Sequence, residues 1–177
     1  IVDELVNIFL ASDVAQIMKN FGKSTKQEDP VVHFYETFLG EYNPALRKAR
    51  GVWYTPQPVV NFIVRAVDDI LKTEFNLPQG LADTSKTKVK VDYYGKTIEK
   101  EVHKVQILDP ATGTGTFLAE VVKHIYKKFE GQQGIWSKYV ANDLIPRLNG
   151  FELLMASYAM AHLKMDMLLT ETGYKPS

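Results

Sequence analysis

The sequence predicts an α/β fold of the doubly wound kind, in which strands alternate with helices and ligands sit at the carboxyl ends of the strands. Three observations carry that prediction. Val105, Ile107 and Leu108 read as a short buried strand that Asp109 and Pro110 stop. A turn containing Gly113 and Gly115 follows, and then a helix over 116–129, in which Phe117, Leu118, Val121, Val122, Ile125, Tyr126 and Phe129 recur at helical spacing. A second strand is expected over 148–153, followed by a helix from Met155 to Leu169, and a long amphipathic helix near 56–75 precedes both strand–helix pairs.

Taken in order, residues 1–27 read as helical, with Leu5, Ile8, Phe9, Val14, Ile17, Met18 and Phe21 forming an apolar stripe and Gly22 a plausible stop. Lys23 to Asp29 is polar and reads as a linker. Asp29 and Pro30 give an N-cap and first-turn pair for a further helix over 31–42. These helices carry no recognisable chemistry, so residues 1–45 are expected to be N-terminal helices and 46–177 a ligand-binding unit. The 177 residues, 45% hydrophobic and 24% charged, suffice for one ordinary globular core. Because the sequence starts at Ile1 without Met, a piece of a longer protein is expected.

A second N-cap and first-turn pair stands at Thr55 and Pro56, after the basic run Arg47, Lys48 and Arg50 and after Gly51. Val59, Val60, Ile63, Val64, Val67, Ile70 and Leu71 then form the expected buried side of a helix ending near Phe75. Such a helix start, with free amides and a hydroxyl, is an anion site. Between 76 and 104, Val89, Val91 and Tyr93, and more loosely Ile98 and Val102, alternate with polar residues around Gly95-Lys96. That predicts an edge hairpin with a glycine-first turn. Residues 131–146 are ambiguous. Glu152 lies near the carboxyl end of the second strand, where an acid accepts hydrogen bonds from ribose hydroxyls in doubly wound folds; Asp143 is a rival acid without the strand context. The methionines of the last helix are expected to fill core.

Formal net charge is zero, whereas nucleic-acid-binding modules usually show a basic excess. Most phosphate contacts to any DNA would therefore come from outside the chain or from a local patch. With no cysteine, disulfides and thiolate metal sites are excluded, and a reducing, cytoplasmic compartment fits. His33, His103, His124 and His162 lack metal-ligand spacing and are expected to be surface or satisfied core residues. No apolar run reaches the length of a membrane span.

The glycine turn narrows the ligand. No lysine follows either glycine, so it is not a phosphate loop, and Leu118 stands where a dinucleotide fingerprint has its third glycine. Asp109 at the strand tip would repel a pyrophosphate and suits a cationic ligand. Asp109-Pro110-Ala111-Thr112-Gly113-Thr114-Gly115-Thr116-Phe117 resembles motif I of adenine-specific DNA methyltransferases, whose usual form has Cys and Ser where this chain has Thr112 and Thr114. Tyr54-Thr55-Pro56 resembles motif X of the same family, and Gly150-Phe151-Glu152-Leu153 resembles motif II. The motif order X, I, II looks closest to the methyltransferase region of single-chain restriction–modification enzymes.

The resemblance, spanning about 31–167, implies a Rossmann-like S-adenosylmethionine-dependent methyltransferase fold, of which this chain would hold the N-terminal part. It implies that Tyr54, Thr55 and Pro56 contact the methionine carboxylate of S-adenosylmethionine, that the nine motif-I residues hold its cationic end, that Glu152 holds the ribose and that Leu153 lies beside the adenine ring. The family's catalytic motif, Asn or Asp-Pro-Pro-aromatic, occurs nowhere in the sequence. The chain is thus expected to stop before it, to have no catalytic residue of its own and to carry the cofactor half of the site. Double-stranded DNA would be engaged by regions outside the chain, with nuclease and helicase-like domains as expected neighbours in the same polypeptide. Two rivals stay open: a cofactor-binding or scaffold module without catalysis, and a methyltransferase acting on RNA or on protein glutamine.

Overall fold

The computed structural model describes residues 2–13, 45 and 55–175. The chain divides into two compact units, 1–54 and 55–177. In the first, helix α1 spans Val2–Ala11. It ends at Ser12, whose hydroxyl donates back to the Ile8 carbonyl (2.7 Å). The helical stretch expected over 1–27 is interrupted at Ser12 and Asp13, and residues 14–27 lie outside the described residues. The expected linker, the 31–42 helix, the basic run at 47–50 and Tyr54 lie outside the described residues.

The second unit is mixed α/β. Helix α2 spans Gln57–Thr73 and a single 3-10 turn spans Gly80–Ala82. Strands β1, Lys86–Tyr93, and β2, Lys96–His103, pair antiparallel in register from Lys86 opposite His103 to Tyr93 opposite Lys96. Strand β3, Ile107–Asp109, leads through the glycine turn into helix α3, Thr116–Tyr126. Helix α4, Gln133–Tyr139, runs on into a π-helical segment, Val140–Leu144, and a 3-10 turn, Ile145–Arg147. Strand β4, Leu148–Gly150, and helix α5, Met155–Glu171, complete the unit. Strands β3 and β4 are parallel, with Ile107 opposite Leu148 and Asp109 opposite Gly150. Among the described residues β3 pairs with β4 and with no other strand.

The core lies between α2, α3 and α4. Val60 and Val64 of α2 meet Ala119, Val122 and Ile125 of α3, and Trp136, Tyr139, Val140 and Leu144 close it from the other side. Phe129 packs its ring on both Trp136 and Tyr139 (centroids 5.2 and 4.5 Å). Helix α2 thus packs on α3 and the 80–82 turn, and its buried stripe is narrower than the apolar pattern suggests. Val60, Val64 and Asp68 are buried at four-residue intervals, while Val59, Ile63, Val67 and Ile70, expected inside, are 41–49% exposed. The apolar residues span more of the helix circumference than one neighbouring helix can cover.

Other expectations shift in detail. Val105 is buried but precedes β3, and Leu108 is 56% exposed, because alternation points it to the face opposite Ile107. The hairpin turn is Tyr94-Gly95, both at positive φ (51° and 75°), so glycine stands second and not first. That is the twist-matched two-residue turn, and the Asp92 side chain accepts the Gly95 N–H (2.8 Å). The second strand is three residues long and leaves Glu152 just beyond its tip. Of the α5 methionines, Met165 packs on the core, whereas Met155 and Met167 are exposed.

Two buried charges tie the layers together. Asp68 on α2 is 1% exposed. It accepts the Leu81 N–H (2.7 Å), pairs with Lys72 (2.6 Å) and lies 3.0 Å from His124 Nε2 and 3.5 Å from Lys128. Burial pushes its carboxyl up, but Lys72, His124, the Leu81 amide and Lys128 outweigh that and hold it well below the usual carboxylate range. Gly80 serves the same node, since a Cβ there would fall on the Asp68 carboxylate. Arg147 is fully buried and donates to the Leu81 carbonyl, the Tyr139 hydroxyl and the Asp143 carbonyl, each at 2.6 Å. Asp143, the rival acid, receives His103 Nε2 at 3.0 Å and so belongs to this structural network.

Candidate cofactor site

The parallel register sets the site. Because Asp109 stands opposite Gly150, both chains leave the sheet on the same edge, and their exits are stitched together. Phe151 N–H donates to the Asp109 carbonyl and Thr112 N–H to the Phe151 carbonyl, each at 2.9 Å. Thr112 is buried; its hydroxyl donates to the Asp109 carbonyl (3.1 Å). Gly150 permits this closeness, for a Cβ there would lie 2.4 Å from the Thr112 hydroxyl and 3.0 Å from Leu118.

Glu152 bridges the two segments. One carboxylate oxygen accepts the Gly113 N–H (2.8 Å) and the other accepts the Leu154 N–H (2.7 Å). A carboxylate has about four lone-pair directions, so each oxygen keeps capacity for a further donor. Asp109 is different. One oxygen accepts the Ala111 N–H (3.1 Å), while Oδ2 is buried and has no hydrogen-bond partner among the described residues. A buried acceptor without a donor costs about 1–3 kcal/mol. A cationic donor such as an ammonium would supply both the missing hydrogen bond and the opposite charge.

The two motif glycines do different work. Gly113, at φ 56°, has open space where a Cβ would point, as a backbone lying against a ligand requires. Gly115, at φ 80°, is the N-cap of α3, and a Cβ there would meet Ala161 of α5 at 3.3 Å. It lets two helices approach and is a packing glycine. Gly115 N–H donates to the Thr112 carbonyl (2.8 Å), and Lys164 on α5 donates to the Thr116 hydroxyl (3.3 Å). Phe117 packs against the core, whereas Pro110, Ala111 and Leu153 are exposed, Leu153 at 82%. Thr114 is half-buried in the turn.

Thr55 is not the cap of α2. Pro56 holds that position, its carbonyl accepting Val59 N–H (2.9 Å) and Val60 N–H (3.2 Å), and no side chain caps the end. Pro58 carries no N–H, so the run of free amides expected here shrinks to the Gln57 N–H. The first turn of α2 is joined to α3 by Gln57, which donates to Glu120 (3.0 Å). The structure therefore brings Asp109, Thr112, Gly113 and Glu152 into direct contact, and connects the turn that follows Thr55 and Pro56 to the same helix through Gln57. Glu120 and Asp68 were not singled out by the sequence pattern, although each left a signal as an acid on the buried stripe of an amphipathic helix.

The arrangement fits S-adenosylmethionine on its own terms. A buried carboxylate oxygen awaits a donor, a glycine leaves its Cβ position open, and a second acid stands at the neighbouring strand tip. A family model described as N-6 DNA methylase matches residues 26–176. The chain belongs to the N-6 DNA methylase family. It is also similar to two solved structures. One is a nuclease-deletion mutant of the Type ISP restriction–modification enzyme LlaGI in complex with a DNA substrate mimic, at 26% identity over 70% of this chain and 8% of that one, with a TM-score of 0.49. The other is DrdV in its DNA complex, at 27% identity over 83% of this chain and 12% of that one, with a TM-score of 0.58. The chain spans about a tenth of the length of these proteins. No curated protein matches it. The resemblance drawn from the three motifs is thus borne out at the level of the family. Among the described residues, no helix is long and apolar enough to cross a membrane.

Proposed function

We propose that this N-6 DNA methylase chain binds S-adenosylmethionine at the tips of β3 and β4, within a Rossmann-like methyltransferase fold, and serves methylation of the exocyclic amine of adenine in DNA. The observation that carries the reading is the buried, unpartnered Asp109 Oδ2 beside the open face of Gly113. Asp109 takes the ammonium of the cofactor, Gly113 lets the backbone lie against it, Glu152 accepts the ribose hydroxyls with its remaining lone pairs, and Leu153 covers the adenine. Thr55 and Pro56 approach the methionine carboxylate. Bound cofactor supplies an electrophilic methyl group and a neutral thioether leaving group; the chain's own residues contribute orientation.

No Asn/Asp-Pro-Pro-aromatic motif occurs in the 177 residues, so the groups that grip a flipped adenine come from elsewhere in a larger restriction–modification polypeptide. That polypeptide engages double-stranded DNA, contains nuclease and helicase-like parts and works in the cytoplasm. Calorimetric titration of the chain with S-adenosylmethionine tests the reading. The wild type and Glu171→Ala, a change in the exposed end of α5, bind alike, and Gly113→Val abolishes binding because its side chain fills the open face. Binding that survives Gly113→Val places the ligand elsewhere, and a wild type that binds nothing refutes the proposal.

A further inference from the structure

We infer that Glu120 is a positioning residue for the cofactor's methionine end, acting through the first turn of α2; the inference rests on the cofactor-binding reading above. Glu120 lies on α3, one turn beyond Thr116, and is 9% exposed. No cation pairs with it in the ion pairs of the described residues. Its partner is the Gln57 side chain in the first turn of α2, which donates one N–H to a Glu120 carboxylate oxygen at 3.0 Å and the other to the Asn61 side-chain oxygen, one turn on, at 2.7 Å. Three polar side chains thus meet at one end of a helix pair joined elsewhere by Val60, Val64, Ala119 and Val122 and, farther along, by Asp68 and His124 at 3.0 Å.

Helix packing alone does not call for such a cluster. Burying a carboxylate among amides costs free energy that a well-packed apolar pair avoids, and the return is a fixed geometry. What it fixes is specific. Gln57 immediately follows Thr55 and Pro56, and the start of α2 has no side-chain cap of its own to hold it. Apolar ridges let one helix slide or rotate along another, whereas the hydrogen bond from Gln57, itself held by Asn61, to the Glu120 carboxylate fixes the register at the start of α2, as Asp68 and His124 do farther along. Glu120 also stands four residues after Thr116, on the helix that begins at the glycine turn. The clamp therefore sets the distance between the Thr55-Pro56 segment and the Asp109–Gly115 turn. These are the two segments that would grip opposite charges of one zwitterion, the carboxylate and the ammonium of the cofactor.

A positioning role of this kind predicts a selective defect. Glu120→Ala frees the start of α2 but leaves Gly113 and Glu152 in place. Affinity for S-adenosylmethionine should fall about tenfold, the loss of one ordinary hydrogen-bonded contact. Affinity for 5′-methylthioadenosine, which has the nucleoside but no methionine carboxylate or ammonium, should stay at the wild-type value. Glu120→Gln, which keeps an acceptor for Gln57, should recover most of the loss. If Glu120→Ala does not fold, Gln57→Ala and Asn61→Ala probe the clamp from its other side and should show the same selectivity. Equal loss for both ligands would mean a general structural role and overturn the inference, as would an unchanged affinity for S-adenosylmethionine. A wild type that binds neither ligand would instead refute the cofactor reading, and the inference with it. Binding of both by the wild type with no selectivity in any variant would refute the inference alone.

Discussion

Glu152 is the residue at which the structure changes the expected outcome of a mutation. On the sequence alone it is a ribose acceptor, and Glu152→Gln should be mild because one acceptor survives. In the structure both oxygens are already committed, one to Gly113 N–H (2.8 Å) and the other to Leu154 N–H (2.7 Å). Whichever way a glutamine amide turns, its NH2 faces a backbone N–H. One bond to a charged acceptor is lost, at about 1.5–3 kcal/mol, and a donor meets a donor. For a chain of this length about 1 kcal/mol lowers Tm by about 2–4 °C, so Glu152→Gln should melt roughly 3–12 °C below the wild type. Glu152→Ala should fall at least as far. Loosening Gly113 also loosens the ligand face, so both variants should bind S-adenosylmethionine about ten- to a hundredfold more weakly, the equivalent of the same bond energy. Differential scanning calorimetry and binding calorimetry on the same preparations read both quantities, with Glu171→Ala as the control. A Glu152→Gln variant with wild-type Tm and affinity would show that the bridge to Gly113 does not hold the turn.

Three further outcomes follow from particular contacts. Asp68 is held below the ordinary carboxylate pKa, so its pairs stabilise the fold above the unfolded-state value of about 4, and that contribution is lost as pH falls through the folded value. Urea midpoints measured from pH 6 downward should fall steeply in the wild type below pH 4 and less steeply in Asp68→Asn, which starts lower; parallel curves would contradict the assignment. The two motif glycines should separate: Gly115→Ala, which meets Ala161 at 3.3 Å in a left-handed backbone, should lower stability by about 1–2 kcal/mol with a smaller effect on ligand affinity, while Gly113→Ala should pay a similar backbone strain and also lose affinity. Arg147→Met keeps volume but removes three buried hydrogen bonds and should cost about 3 kcal/mol or more by denaturant titration; an unchanged midpoint would mean that those bonds contribute nothing net.

The parts of this architecture that were legible in the sequence are those written in local chemistry. Asp109-Pro110 ends a strand, Gly113 and Gly115 demand positive φ, and the apolar spacing of α3 has a single reading. Sequence also located Glu152 at a strand tip, since Gly150 and Phe151 frame it. The missing parts depend on long-range packing. Which side of α2 is buried is decided by the single neighbour α3, so Val59, Ile63, Val67 and Ile70 carry the periodicity of a core and stay exposed. Residues 131–147 have no clean period because a π-helical segment and a 3-10 turn interrupt the helix to bring Arg147 under Tyr139. The pairing of Glu152 with Gly113 spans 39 residues, and that of Glu120 with Gln57 spans 63; no local pattern announces either. The distinction between Gly113 and Gly115 is of the same kind, because it depends on Ala161 lying above one and open space above the other.

The most direct test of the central claim is a crystal structure of the chain with S-adenosylmethionine bound. The ammonium is expected within about 3 Å of Asp109 Oδ2, the ordinary charged hydrogen-bond distance, with the ribose at Glu152 and the ligand lying across Gly113. A ligand bound elsewhere, or one bound at these strand tips with Asp109 Oδ2 still unpartnered, would contradict the claim.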